Sequence, residues 1–324
     1  MEFTDQDGQD FVLDPLNLEA LNRCLRGLGW LTRDGVMRAE RIGAGNMNFT
    51  VRIWMDHGSF VLKQARPWVV KYPQIAAPIE RATVEAAFYR VTAGVAGVSS
   101  QMPQLLGFSE AAHLLWLEDL GEASDFMDCY EGENPGVEAC RNLTEFLVSL
   151  HGFELPESAK HPLQNRAMRA LNHQHQYDLP LRPENGYGDV AGALREDRQY
   201  CQRIAALGKR YLSDGDVLLH GDYFPGSWLR AKGGIAVIDP EFCYPGDAEY
   251  DVGVFLAHLE FLHARELWSV VETCYSRPLD WALARRYAGA ELMRRLIGVA
   301  QLPLRADLDQ KQQWLKFSRE LVCA

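Results

Sequence analysis

The hydrophobic period of this chain changes near residues 118–121, and that change limits the fold more than any other feature. Ahead of it, Phe49, Val51, Ile53 and Met55 alternate with polar or small neighbours. The turn Asp56-His57-Gly58-Ser59 follows, and Phe60-Val61-Leu62-Lys63 resumes the extended pattern, which predicts a β-hairpin. Two further short strands are expected at Gln104–Phe108 and His113–Leu117. Two helices belong to this part. One follows Asp14-Pro15, with Leu18, Leu21, Leu25 and Leu28 on one face and a stop at Gly29; the other runs from Ile79 to Thr92. Beyond Gly121 the spacing is helical. Cys140, Leu143, Leu147 and Leu150 mark one helix and residues 190–212 another. A short strand pair, Val217–His220 with Ile235–Ile238, interrupts the run before helices return near Asp251. This pattern predicts an α+β chain with a small β-rich lobe (1–117), a hinge (118–122) and a larger helical lobe (123–324), an arrangement in which ligands commonly bind between the lobes.

Composition narrows the function. At roughly 150 residues per domain, 324 residues suit two lobes. Lys and Arg number 33 against 44 Asp and Glu, a net charge of −11. That balance argues against a nucleic-acid partner or a polybasic membrane contact, both of which need clustered cations. Seven scattered cysteines form no CxxC pair, which argues against zinc ribbons and dithiol redox chemistry. The acidic start has no apolar signal segment, and no run approaches ~18 apolar residues, so a cytoplasmic protein without a membrane span is expected.

Four segments carry candidate chemistry. Ile42-Gly43-Ala44-Gly45-Asn46-Met47-Asn48 enters the hairpin, and its glycines can bring backbone N–H groups close to a phosphate. An ordinary hairpin turn would look much the same. In Phe60-Val61-Leu62-Lys63-Gln64, alternation sets Lys63 on the face opposite Leu62, where it can neutralise phosphates, with Glu85 on the next helix to hold the ammonium. The competing reading makes Lys63 an exposed strand lysine and Glu85 a solvated partner of Arg81. The third segment, Leu218-Leu219-His220-Gly221-Asp222, runs an apolar strand into a tight turn closed by Pro225-Gly226. That turn presents Asp222 at the mouth of a cleft, placed to accept a hydroxyl proton. Ile235–Ile238 then leads into Asp239-Pro240-Glu241, whose carboxylates have the spacing to share a magnesium ion.

Taken together and in this order, the segments resemble the protein-kinase-like small-molecule kinases, the group of aminoglycoside phosphotransferases and choline kinases. Within it the likeness is greatest to the methylthioribose kinases. Gly43 through Asn48, Lys63-Gln64-Ala65, Arg81 through Glu85, Glu118-Asp119-Leu120, His220-Gly221-Asp222 with Gly226-Ser227, Asp239-Pro240-Glu241-Phe242 and Arg294-Arg295 carry it, in patches over about residues 40 to 305.

The resemblance implies a two-lobed kinase fold using ATP and Mg2+ to phosphorylate a hydroxyl of 5-methylthioribose or a related pentose. In that scheme Asp222 is catalytic, and Gly43, Gly45, Asn46, Lys63 and Glu85 handle the phosphates. Backbone groups at Glu118 and Leu120 meet adenine, Asp239 and Glu241 hold the metal, with Ser227 a third candidate, and Arg294 and Arg295 face the substrate. Asp251 braces the catalytic loop, and a homodimer is favoured. The alternatives are an aminoglycoside- or choline-type acceptor, or an inactive nucleotide-binding relative. Two departures from the pattern bear on the acceptor: the tryptophan-containing stretch Arg66–Gln74 is short, and Tyr223-Phe224-Pro225 replaces more polar residues. Outside these motifs, His173 and His175 lack a third metal ligand, and Asn142-Leu143-Thr144 lies in a predicted helix. His151 is expected to be structural, and Trp228 lies beside the catalytic loop.

Overall fold

A computed structural model describes residues 11–32, 35–43, 47–182 and 188–324. Helix α1 (Leu18–Gly27) precedes the strands β1 (Arg38–Arg41), β2 (Asn48–Met55) and β3 (Gly58–Ala65), then β4 (Trp68–Val69) and β5 (Tyr72–Ala76). Helices α2 (Arg81–Thr92) and α3 (Ala96–Ser99) follow, then β6 (Leu105–Ser109) and β7 (Leu114–Glu118). Five of these strands form an antiparallel sheet of order β1-β2-β3-β7-β6, and β4 pairs with β5 in a separate ribbon.

Lys63 lies on β3, the middle strand, between Thr50 of β2 and Leu115 of β7. Alternation along β3 divides its side chains between two cores. Phe60 and Leu62 join Leu21 and Leu25 of α1, whereas Val61 and Ala65 face the main core with α2. The hairpin and both helices expected in this part are present. Helix α1 is capped by Asn17, which accepts from the Ala20 N–H, and the chain turns away through Gly29 at φ +72°.

Past β8 (Ser124–Asp125) the chain is mostly helical: α4 (Gly136–His151), α5 (Glu157–Leu163), α6 (Arg166–His173), α7 (Gly188–Glu196), α8 (Arg198–Tyr211), α9 (Ala248–Phe261), α10 (Trp268–Cys274), α11 (Trp281–Ile297) and α12 (Leu308–Cys323). Residues 190–212 are therefore not one helix. The chain breaks at Asp197, whose side chain accepts from the Tyr200 N–H and starts α8 afresh.

The strands β9 (Val217–Leu219), β10 (Trp228–Ala231), β11 (Gly234–Val237) and β12 (Tyr244–Gly246) correct another expectation. The two segments read as a strand pair do not pair with each other. β9 pairs with β12 and β11 with β10, so each apolar strand has its own partner. Trp228 is wholly buried against Tyr223 and Phe255, in the core and not in the cleft.

Candidate active site

Asp222 and Asp239 stand at the exits of β9 and β11, and hydrogen bonds tie those exits together. His220 Nε2 donates to the Ile238 carbonyl at 2.9 Å, and the Ile238 N–H donates to the Ser227 carbonyl at 3.0 Å. Asp251, buried on α9, accepts the His220 N–H at 2.7 Å on Oδ2 and the Gly221 N–H at 3.0 Å on Oδ1. It thereby fixes the turn from below, the bracing role expected for it. His151 ends α4 and reaches the same carboxylate at 3.2 Å, with its other ring nitrogen 2.9 Å from the Tyr275 hydroxyl. Its ring thus bridges α4 to Asp251 and Tyr275. Gly221 holds φ +86°, and a Cβ there would lie 2.1 Å from the Phe242 carbonyl oxygen, so only glycine fits. The apolar residues inside the turn also have uses. Tyr223 donates its hydroxyl to the Leu143 carbonyl at 2.8 Å, and Phe224 lies under the Arg295 guanidinium, 4.6 Å from it.

Lys63 is buried, with Nζ 2.8 Å from Glu85 Oε1 on α2 and 2.7 Å from Asp239 Oδ1. The reading of Lys63 as an exposed strand lysine is overturned. Burial alone would lower its pKa, but Asp239, Glu85 and Glu241 outweigh it and hold the ammonium well above its ordinary value. Burial pushes Glu85 up, against the pull of Lys63, and Glu85 Oε2 has no hydrogen bond among the described residues. Asp239 occupies the left-handed region at φ +64°.

Glu241 is held from the β-rich part. One oxygen, Oε2, accepts from Asn48 Nδ2 at 2.9 Å and pairs with Arg81 Nε at 3.2 Å. Arg81 is wholly buried and is not a solvated partner of Glu85. Its other nitrogens donate to the carbonyls of Met47, Arg66 and Pro78. Sequence reasoning missed this function of Arg81 and Asn48, because nothing in their spacing points to a partner as far along the chain as Glu241. Ser227 donates its hydroxyl to the Asp222 carbonyl at 2.9 Å, which leaves only oxygen lone pairs for a cation.

Arg294 and Arg295, on the last turns of α11, reach Asp222 Oδ1 at 3.5 and 3.4 Å. Burial raises the Asp222 pKa, Arg295 and Arg294 work against the rise, and Glu291 adds to it. At the candidate hinge, Asp119 pairs with Arg52 at 3.0 Å and accepts from Ser59 at 2.6 Å, which ties residues 118–121 to β2 and β3. Gly43 has φ +69°. Gly45 and Asn46, the other expected phosphate-loop residues, lie outside the described residues. The site thus gathers Lys63, Glu85, Asp239 and Glu241 on one side and Asp222, Arg294 and Arg295 on the other.

Residues 38–270 match the model of the phosphotransferase enzyme family, most of the chain's length. The chain belongs to that family. It is similar to methylthioribose kinases of Bacillus cereus strain B4264 and Bacillus anthracis strain A0248, at 25% identity with 91% of this chain and 89% of each relative covered. Among solved structures, a choline kinase of Streptococcus pneumoniae superposes with a TM-score of 0.59 at 12% identity, covering 94% of this chain and 98% of that one. A spectinomycin phosphotransferase in complex with ADP and spectinomycin gives 0.57 at 13%, covering 96% and 99%. The kinase-like two-lobed α+β fold follows, and this family member is a phosphotransferase with an alcohol group of a small molecule as acceptor. Among the described residues no helix is long and apolar enough to cross a membrane.

Proposed function

We propose that this phosphotransferase moves the γ-phosphoryl group of ATP to a hydroxyl of 5-methylthioribose or a closely related pentose in the cytoplasm. The observation that carries this reading is the convergence of Lys63 with Glu85 and Asp239 beside a catalytic turn whose Asp222 faces two arginines. Phosphoryl transfer asks for alignment and charge neutralisation more than covalent chemistry. Lys63, steadied by Glu85, is placed to take the nucleotide phosphates, and residues 118–122 act as the hinge beside adenine. Asp222 orients the acceptor hydroxyl and takes its proton. Arg294 Nη2, buried and without a hydrogen bond among the described residues, is available to an oxygen of the acceptor or of the transferred group.

The donor set suits magnesium. Asp239 is partly exposed, and the contacts of Glu241 with Asn48 and Arg81 are both made by Oε2. Among the described residues no group of three His, Cys, Asp or Glu side chains stands together to hold a metal ion. When bound, magnesium supplies charge neutralisation of the triphosphate. Asp239 and Glu241 Oε1 would hold it, with the Ser227 lone pairs the third candidate donor.

An aminoglycoside or choline-type acceptor would set its cations against Arg294 and Arg295, which favours a neutral polyol. The joint presence of Lys63, Asp222, Asp239 and Glu241 speaks against an inactive relative. ADP release is to be measured over methylthioribose, other pentoses, choline and aminoglycosides. Turnover confined to methylthioribose or a pentose is expected, and turnover on a cationic acceptor alone would overturn the substrate. Asp222→Asn is expected to lower kcat by about 10²- to 10⁴-fold, the usual contribution of a positioned base, with ATP affinity within a few fold. Near-normal turnover of that variant would remove Asp222 from the role.

A further inference from the structure

Two guanidinium groups stand side by side next to Asp222, and both are largely buried. Left to themselves, they would close on the nearest carboxylate with short, forked hydrogen bonds, the geometry arginine prefers. They do not. Their contacts with Asp222 Oδ1 are 3.4 and 3.5 Å, beyond the range of a strong hydrogen bond. The short bonds go to Glu291, one turn earlier on α11. Arg295 Nε donates to Glu291 Oε1 at 2.8 Å, and Arg294 Nε donates to Oε2.

Glu291 is itself held from outside α11. His258 on α9 places Nε2 3.0 Å from Glu291 Oε1, and its Nδ1 meets the hydroxyl of Tyr130. Burial depresses the His258 pKa to about 4, so the ring is neutral near pH 7. Burial alone would raise the Glu291 pKa, but Arg294, Arg295 and the His258 hydrogen bond hold it well below the carboxylate range. Glu291 is then an acceptor only, so Nε2 carries the ring proton and Nδ1 accepts from Tyr130. The chain Tyr130–His258–Glu291 is almost wholly buried and fully hydrogen-bonded, so it is rigid. With Nε of each arginine occupied, the Nη ends point at Asp222 without closing on it. Phe224 under Arg295 limits that side chain's movement further.

We propose that Glu291 is a positioning residue for the transfer: by taking both Nε–H groups it keeps Arg294 and Arg295 from neutralising Asp222, and so leaves that carboxylate to the acceptor hydroxyl. This rests on Asp222 being the group that orients the hydroxyl. In Glu291→Gln the two guanidinium groups lose their principal counter-charge, and Asp222 becomes the carboxylate they can reach. Asp222 then accepts two short hydrogen bonds in place of the acceptor's proton. His258 and Tyr130 act one step further out, by fixing the Glu291 carboxylate.

The test is a double-mutant cycle in the full chain, with ADP release, ATP binding by calorimetry and thermal unfolding measured on each protein. Glu291→Gln is expected to lower kcat by about 10- to 100-fold, part of what a well-placed base supplies, with the KM for ATP within about threefold. Glu291→Asp, which keeps the charge, should recover part of that loss. Tyr130→Phe, which touches neither arginine, should lower kcat only a few fold. In an Asp222→Asn background, Glu291→Gln should cost little further, because both act on one group. A merely structural role would give equal losses in both backgrounds, together with weakened ATP binding, and would overturn the proposal. So would unchanged kcat in Glu291→Gln while Asp222→Asn is inactive. If Asp222→Asn itself turns over normally, the assignment of the base fails instead. Should Glu291→Gln not fold, Glu291→Asp and Tyr130→Phe carry the cycle, and additivity of both with Asp222→Asn would overturn the proposal.

Discussion

Arg81 shows how far a residue's identity can be from its use. On the sequence it is a helix cation four positions before Glu85, and a surface i,i+4 pair is the ordinary reading. In the structure it has no exposed surface, and its guanidinium serves three carbonyls, Asn48 and Glu241. Removing one partner of a buried charge network leaves the others unpaired, at a cost of about 3–5 kcal/mol. Arg81→Met is therefore expected to lose that much stability, measured by urea unfolding. Arg81→Lys should recover only part of it, because an ammonium cannot reproduce the planar fork. An Arg81→Met protein as stable as the parent would show that the network contributes little. The motif residues were legible because their chemistry depends on local sequence: a strand, a tight turn and a carboxylate. The bonds that Arg81 and Asn48 make to Glu241, and His258 to Glu291, were not, because they cross the fold. Only Glu291 left a trace, in its i,i+3 and i,i+4 spacing to the twin arginines.

At the level of elements, periodicity located most segments and erred where strands are short. β9 and β11 each have a handful of apolar residues, and nothing in such runs specifies a partner. Pairing was decided by the chain around them: the segment between them folds β10 onto β11, and the segment after β11 returns β12 to β9. The break between α7 and α8 went unread, inside the span 190–212 expected as one helix; there Asp197 caps α8 through the Tyr200 N–H. Helix α9 is buried on nearly every face, which is why it carries His258 and Asp251 at full burial. Its histidine has a thermodynamic consequence. A His258 pKa near 4 in the folded protein, against about 6.5 unfolded, means that unfolding takes up a proton between those values. The contribution is present above pH 6.5 and is lost as pH falls toward 4, with an upper bound of roughly 3 kcal/mol. His220 is shifted the same way by burial. His258→Gln should therefore flatten, without abolishing, the decline of unfolding free energy between pH 6.5 and 4.5. An unchanged slope in that variant would show that His258 is not the group taking up the proton.

Over the whole molecule, the β-rich and helical parts meet through charge as well as through apolar packing. The main core runs from α2 and β7 into α4, α9 and α11, while a second core lies between α1 and the sheet. Across the site the bridges are polar: Lys63 to Asp239, and Arg81 and Asn48 to Glu241. The carboxylates proposed for the metal are therefore already neutralised by cations of the sheet side. In the proposed nucleotide complex Asp239 and Glu241 would hold the metal, which would supply charge neutralisation of the phosphates, and Lys63, still paired with Glu85, would turn from Asp239 to the phosphates. A ligand that binds only the folded state adds about 2.7 kcal/mol at 100 times its Kd. ATP with magnesium should accordingly raise the unfolding midpoint by several degrees, and by more than ATP with chelator. Asp239→Asn should keep the smaller shift and lose the magnesium increment, since Lys63 still has Glu85 to hold it. Lys63→Met should lose most of both shifts, because Asp239 and Glu85 would then face the triphosphate uncompensated. A full magnesium increment in Asp239→Asn would take the metal away from that carboxylate, leaving Lys63 as the group that gives Asp239 its place in the fold.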